Sequence, residues 1–167
     1  MNRILISLLS GFFLLTGCTL DKEEEVRMLL SEWTEIGETF FFESSSSCTA
    51  AVFHTSEAPR ITSLLDRARS VETGMKMLAG GKPVVFRVSG KSPNAVTEAI
   101  MSRNLPQGIG ILNSGLAGVN CMNEVVKGVY YRAILNPESN LVFVPESHAM
   151  VVLDKQAMAM IYVRGDS

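Results

Sequence analysis

The chain has 167 residues, of which 47% are hydrophobic and 19% are charged, so it can build the core of one domain and is not expected to be disordered. The formal net charge is −2 at pH 7. This balance indicates no basic face, and nucleic acid is therefore not an expected partner.

The N-terminus has the three parts of an export signal. Arg3 precedes an apolar run at residues 4–15, and the sequence LTGC follows at 15–18. The run is shorter than the ~20 residues that a membrane-spanning helix needs. A positive start, an apolar segment and small residues, in that order, are typical of a secretory signal peptide.

The end of this segment resembles the lipobox of bacterial lipoproteins, because Leu15, Thr16 and Gly17 precede Cys18. The resemblance covers about the first eighteen residues and does not extend to the domain that follows. It implies a cleaved signal peptide at 1–17 and a Cys18 that carries a thioether-linked lipid and an N-acyl chain such as palmitate. The alternatives are an ordinary signal peptide with an incidental cysteine and an uncleaved membrane span.

Residues 18–167 are then expected to form a single membrane-anchored globular domain. Thr19, and not aspartate, follows the cysteine, which in Gram-negative lipoproteins resembles sorting to the outer membrane. The expected location is therefore the bacterial cell envelope, at the outer membrane and facing the periplasm. Two acyl chains or more on one residue give an anchor that does not dissociate readily.

A helix is predicted from Asp21, with Asp21 and Glu24 placed as a capping box. An apolar stripe of helical period follows; its members are Val26, Leu29, Leu30, Trp33 and Ile36. Only Thr19 and Leu20 separate Cys18 from this helix. At up to ~3.6 Å per residue, so short a tether predicts that the domain lies against the membrane surface.

The rest of the chain predicts an α+β domain, with about four helices packed on a mainly antiparallel sheet that ends in a C-terminal β-meander. Further helices are predicted at 57–79, from Pro93 to about Asn104, and at 115–127 before Gly128. The 57–79 helix depends on an apolar stripe that consists of Ile61, Leu64, Leu65, Ala68, Val71, Met75 and Leu78. Strands are predicted at 38–44, 48–55, 83–89, 107–113 (strand or turn), 129–135, 141–145, 148–153 and 158–164.

Two cysteines remain beside the lipidation candidate Cys18. In an exported protein the pair Cys48 and Cys121 is a disulfide candidate. Closing so long a loop would stabilise the fold by roughly 4 kcal/mol on the chain-entropy model. The alternative is two separate buried thiols.

One weak ligand-binding candidate lies at the start of the predicted helix after residue 92. Gly90, Lys91 and Ser92 follow a predicted strand, as in a phosphate-binding loop, but position 85 is valine where the full motif needs glycine. Lys91 and Ser92 could bind an anion at the helix N-terminus. A simple capped helix is the favoured interpretation.

A weak metal-binding candidate depends on the register of the last predicted hairpin. A three-residue loop at 154–156 would bring His148, Met150, Met158 and Met160 to one face, a set of ligands that suits Cu(I). The alternative is that the methionines fill gaps in the core. Both faces of this hairpin are apolar, so a sheet that is covered on both sides, by helices or by a partner, is expected.

No local catalytic motif is present, and His54 and His148 are the only histidines in the sequence. We therefore expect a non-enzymatic envelope lipoprotein, without a cofactor, that acts through protein contacts in an assembly. The alternative is an envelope protein that binds a small ligand or Cu(I). The expected partners are the bilayer, through Cys18, and another envelope protein.

Overall fold

The computed structural model of the protein describes residues 19–56 and 61–166. Its helices are α1 (Glu23–Ser31), α2 (Val71–Leu78), α3 (Pro93–Met101), α4 (Leu105–Val119) and α5 (Glu124–Leu135). Its strands are β1 (Ile36–Ser44), β2 (Cys48–Thr55), β3 (Asp66–Ala68), β4 (Val84–Phe86), β5 (Asn140–Val144), β6 (Ala149–Asp154) and β7 (Ala159–Gly165). The α+β class is confirmed, with five described helices where about four were predicted.

The seven strands form one sheet in the order β1-β2-β7-β6-β5-β4-β3. Neighbours are antiparallel except for β3 and β4, which are parallel and are connected through α2. The predicted C-terminal meander is confirmed as β5, β6 and β7. Strand β7 pairs with β2 on its other side, which brings Cys48 opposite Gly165.

Both faces of the sheet are covered, as the apolar hairpin predicted. Helices α2 to α5 cover one face, where Phe86, Ile111 and Val152 belong to one buried cluster. Helix α1 and the segment 61–65 cover the other face, where Leu30, Phe53 and Tyr162 belong to a second cluster. Alternating side chains of β2, β4, β5, β6 and β7 divide between the two clusters because successive residues of a strand point to opposite faces.

The prediction of one long helix over 57–79 was wrong. Residues 57–60 lie outside the described part of the chain, and the part of the prediction that is described contains β3 and then a short helix, α2. The apparent stripe mixes residues from both sides of the sheet: Ile61 and Leu65 pack with α1, whereas Ala68 and Leu78 pack with the other helices. Leu64 faces solvent, with 65% of its surface exposed.

Two segments predicted as strands are helical. Residues 107–113 lie within α4, and residues 129–135 form the second half of α5. Glycines in the first segment and β-branched and aromatic residues in the second pointed away from helix. In α5, however, Val126, Tyr130 and Ala133 are buried at helical spacing, so packing on the sheet outweighed local propensity. The helix predicted at 115–127 instead spans the end of α4 and the start of α5.

Candidate functional site: a groove between helices α3, α4 and α5

The Cu(I) candidates do not come together. The observed register pairs Met150 with Val163 and Leu153 with Met160, because the loop after β6 has four residues and not three. The predicted register was therefore wrong. Met150 belongs to the cluster on the α4 side and Met160 to the cluster on the α1 side.

The other two candidates of this set lie in turns. His148 ends the turn before β6 and Met158 ends the turn before β7, each with a positive φ (50° and 49°). These turns are at opposite ends of the hairpin. Within residues 19–56 and 61–166, no group of three or more His, Cys, Asp or Glu side chains is placed to hold a metal ion.

Lys91 and Ser92 lie at the N-terminus of α3, and Ser92 is used there as a cap. The Ser92 hydroxyl accepts the backbone N–H of Ala95 at 3.2 Å, and Pro93 occupies the first turn. This is the capped helix that the sequence favoured. Lys91 is exposed beside it.

Cys48 and Cys121 form a disulfide, which confirms the predicted pairing. The bond joins the first residue of β2 to the turn that follows α4. Both residues are buried, with 3% and 7% of their surfaces exposed. The C-terminal end of α4 is therefore fixed covalently to the sheet. Cys18 itself lies outside the described residues.

A narrow apolar groove separates α4 from α5. It encloses a cavity of about 120 Å³, which is enough for one inserted side chain. Its walls come from three helices and its floor from the sheet; the lining residues are Asn94, Thr97, Leu112, Gly115, Leu116, Val119, Tyr130, Tyr131, Ile134 and Met150.

The wall that α5 gives to the groove holds a phenol whose hydrogen-bond partner, a sulfur of the sheet, is weak. The Tyr130 hydroxyl is buried and donates to the Met150 sulfur at 3.8 Å, and a thioether is a poor acceptor. Gly115 allows this approach, since a Cβ there would lie 2.5 Å from the hydroxyl oxygen. Burial, with Tyr131 nearby, raises the pKa of Tyr130. The groove therefore offers a neutral donor at the bottom of an apolar cleft.

A row of apolar side chains runs along α4 beside the groove. Leu105, Ile109, Leu112, Leu116 and Val119, which we call the α4 ridge, follow one another at spacings of four, three, four and three residues. This is the spacing of a seam between two packed helices. Leu105 and Leu116 are each 57% exposed and Ile109 is 39% exposed, whereas Leu112 and Val119 are half-buried; three of the five residues of the α4 ridge thus face solvent.

Helix α4 also lacks charge. Its fifteen residues include no Asp, Glu, Lys or Arg. A surface helix usually presents charged residues to water on the face opposite its apolar stripe, and the centre of a protein interface is depleted of charge. Sequence reasoning missed this site because the glycines of α4 suggested a turn; the spacing of the α4 ridge was the signal that could have found it.

A second polar arrangement fixes the N-terminal end of the described chain. Asp21 is not the predicted helix cap, since Lys22 takes that position without a side-chain bond. Instead the Asp21 carboxylate pairs with Arg164 of β7 at 2.6 Å and accepts the Tyr162 hydroxyl at 3.5 Å. Burial and the Asp21 charge raise the pKa of Tyr162.

Backbone contacts complete this attachment. The Leu20 N–H donates to the Ser45 carbonyl at 2.8 Å, and the Asp21 N–H donates to the Ser44 hydroxyl at 3.2 Å. We call residues 20–21, with these contacts, the strap. It fastens the chain to the end of β1 and β7 before α1 begins.

None of the helices in the described ranges is both long and apolar enough to cross a membrane. Comparison of the chain with protein-family models, with curated proteins and with solved structures found no match.

Proposed function

We propose that this protein is a lipid-anchored component of the bacterial cell envelope, held at the outer membrane facing the periplasm, which binds another envelope protein and performs no catalysis. The anchor is supported by the lipobox-type sequence that ends at Cys18. The binding role is supported by one observation above others: α4 is uncharged over its whole length while Leu105 and Leu116 face solvent.

The proposed occupant is a helix of the partner protein, laid against the α4 ridge with one side chain inserted in the groove. The seam spacing of the α4 ridge matches a helix, and the cavity of about 120 Å³ matches one inserted side chain. Because α4 has no charge, the partner helix needs apolar residues at its centre. An acceptor group on it would give the Tyr130 hydroxyl a better partner than sulfur.

Site-specific crosslinking in the native envelope tests this role. A photoreactive amino acid at Leu116 should capture one defined envelope protein, and the same group at Met28 is the matched control. Met28 is also exposed and apolar, at 63%, but it lies on α1 at the other face of the sheet. Equal capture at both positions, or capture at neither, would contradict the proposed interface.

A second test of the interface introduces a negative charge, by Leu116→Glu on α4 and by Met28→Glu on α1. We expect the first variant to lose the captured partner at least tenfold, since binding would bury a carboxylate without a counter-charge. The second should bind as the parent does. Both should melt close to the parent temperature, because exposed substitutions change stability little.

The anchor has its own test. Cys18→Ala should move the protein from the membrane fraction to the soluble fraction, because the acyl chains would be absent. Mass spectrometry of the parent should show acyl groups on Cys18. Membrane retention of the Cys18→Ala variant would contradict the anchor.

A further inference from the structure

The strap fixes the start of the domain to one point of the sheet, close to the proposed lipid. Leu20 is fixed to Ser45, and Asp21 is fixed to Ser44 and Arg164. Asp21 is only 9% exposed, so the chain is already fixed to the sheet at residues 20–21, before α1 begins. Two residues further back, position 18 is at most about 7 Å from Leu20 along an extended chain. A lipid on Cys18 would therefore be attached close to one fixed point of the sheet.

That fixed point belongs to one end of the sheet, which we call the strap end. The loop 45–47 and Asp166 meet there through a bond from the Asp166 N–H to the Ser47 carbonyl at 3.2 Å. The turn 145–148 lies at the same end, because Val144 pairs with Ala149 and Met150 with Val163. The disulfide adds the turn 120–123, since Cys121 is joined to Cys48.

The opposite end, the far end, is formed by other turns. The four-residue loop 155–158 connects β6 to β7 there, and the Thr55 N–H donates to the Met158 carbonyl at 2.8 Å. Ile36, the first residue of β1, pairs with Thr55 at this end. Helix α1 starts beside the strap and ends before Ile36, so it leads away from the strap end.

Three loops of the strap end, 45–47, 120–123 and 145–148, are polar and carry little charge. Serines fill 45–47, and asparagines begin and end the turn 120–123. Glu146 is the charged residue of these loops, and Asp166 lies beside Ser47. The turn 79–83 lies at the same end, because Val84 pairs with Phe143, and it adds Lys82; the start of α1 beside the strap adds Lys22 and the acidic run 23–25. Such a surface can lie against lipid headgroups without inserting, and it has no basic patch to attract anionic lipids. The orientation would come from the strap and the lipid, and not from electrostatic attraction.

We propose that the strap end of the domain lies on the bilayer surface and that the far end points away from it. This inference rests on the proposed lipidation of Cys18. It deepens the proposed function, because the C-terminal half of α4 lies at the strap end: Ser114 donates to the His148 carbonyl, and Gly118 lies against Val163. The partner helix would therefore meet the α4 ridge close to the membrane.

Fluorescence quenching in vesicles tests the orientation. The acylated protein is placed in phosphatidylethanolamine–phosphatidylglycerol vesicles that carry a headgroup nitroxide. One thiol-reactive dye is attached at Ser46→Cys, at the strap end, or at Lys155→Cys, at the far end. Both positions are exposed. We expect the dye at position 46 to be quenched at least threefold more strongly than the dye at position 155.

A longer tether provides the matched control. Six Gly/Ser residues inserted between Thr19 and Leu20 leave the strap unchanged but add a flexible link of roughly 13 Å. The difference in quenching between positions 46 and 155 should then fall toward equality. Vesicle flotation is measured on every sample, so that anchoring and orientation are read separately.

The outcomes separate the two proposals. Protein that floats with the vesicles but shows equal or reversed quenching with the native tether overturns the orientation and leaves the anchor. A difference that is unchanged by the inserted linker shows that the strap does not set the orientation. Protein that carries no acyl group and does not float overturns the anchor, and the orientation with it.

Discussion

Helices α1 and α4 both pack on the central sheet, from opposite sides, but they meet water in different ways. Helix α1 has four charged residues among nine, and one of them, Arg27, donates to Thr39 and Gly37 of the neighbouring strand β1. Helix α4 has no charged residue among fifteen and exposes Leu105 and Leu116. Both helices bury one face equally well, at Leu30 and at Ile111.

The difference shows that the buried face and the outer face of a helix can meet separate requirements. Burial of an apolar face holds both helices on the sheet. The outer face of α1 suits solvent, and the outer face of α4 suits another apolar surface. The absence of charge on α4 is therefore not needed for folding, which is why we assign it to binding. Four measurements, ordered from the largest expected effect to the smallest, can break or sharpen this contrast.

The disulfide gives the largest expected effect. Replacement of both Cys48 and Cys121 by alanine should lower the free energy of unfolding by roughly 4 kcal/mol, because the unfolded chain regains the entropy of a long open loop. Urea denaturation measures the loss. Hydrogen exchange should increase first in α4, which the bond ties to β2, and less in α1. A loss below 1 kcal/mol, or equal local opening of both helices, would contradict this prediction.

The strap should matter almost as much on the α1 side. Asp21→Asn removes the charge that neutralises Arg164, whose side chain is only 25% exposed. Breaking this partly buried ion pair leaves one charge uncompensated, so we expect a loss of about 2–3 kcal/mol in urea denaturation, between the losses typical of exposed and of fully buried pairs. The control is Glu25→Gln, which breaks the exposed pair with Lys22 and should cost less than 1 kcal/mol. Equal effects of the two substitutions would show that the Asp21 pair is not structural.

Alkaline pH should reveal the two buried tyrosines, one on each side of the sheet. The pKa values of Tyr130 and Tyr162 are raised in the fold, whereas tyrosine in the unfolded chain ionises near 10. The stability that each buried tyrosine contributes is thus fully present below about pH 10. Above that pH the free energy of unfolding falls, by up to about 1.4 kcal/mol per pH unit for each residue. Tyr130→Phe and Tyr162→Phe should each reduce this slope; an unchanged slope in both variants would contradict the assignment.

The smallest effect separates the inner and outer faces of α4 itself. Gly110→Ala should raise stability by about 0.5–1 kcal/mol, because alanine is the better helix former and its Cβ would meet no atom within 4 Å. Gly118→Ala should lower it, since the new Cβ would lie 2.5 Å from the Val163 Cβ. Thermal unfolding of the two variants should give shifts of opposite sign. Shifts of the same sign would mean that α4 is seated differently.

Parts of this fold could be predicted from sequence because their signals are local. The Ser92–Pro93 start of α3 uses the cap and the restricted φ of proline. Strands β5 to β7 are continuous apolar runs between turn residues. The pairing of Cys48 with Cys121 could be predicted because the expected lipidation of Cys18 leaves two other cysteines in the chain.

Other parts depended on contacts that are distant in sequence. Asp21 was assigned to a helix cap, but its partner Arg164 is 143 residues away. The predicted register of β6 and β7 was wrong because the loop includes Met158, which adopts a positive φ of 49°. Glycine or asparagine usually occupies that conformation, so the sequence did not mark the end of the loop. The α4 ridge has a visible spacing in the sequence, but its exposure could not be known before the neighbouring helices were placed.

Strand β7 has a consequence for the order of folding. It lies between β2 and β6 in the sheet, although it follows all the other described strands in the chain. The β1–β2 hairpin therefore has no neighbour to pair with until residues 159–165 are available, and such long-range pairing forms slowly. For a polypeptide that must cross the inner membrane unfolded, as the proposed export requires, this strand order delays completion of the sheet until translocation has delivered β7.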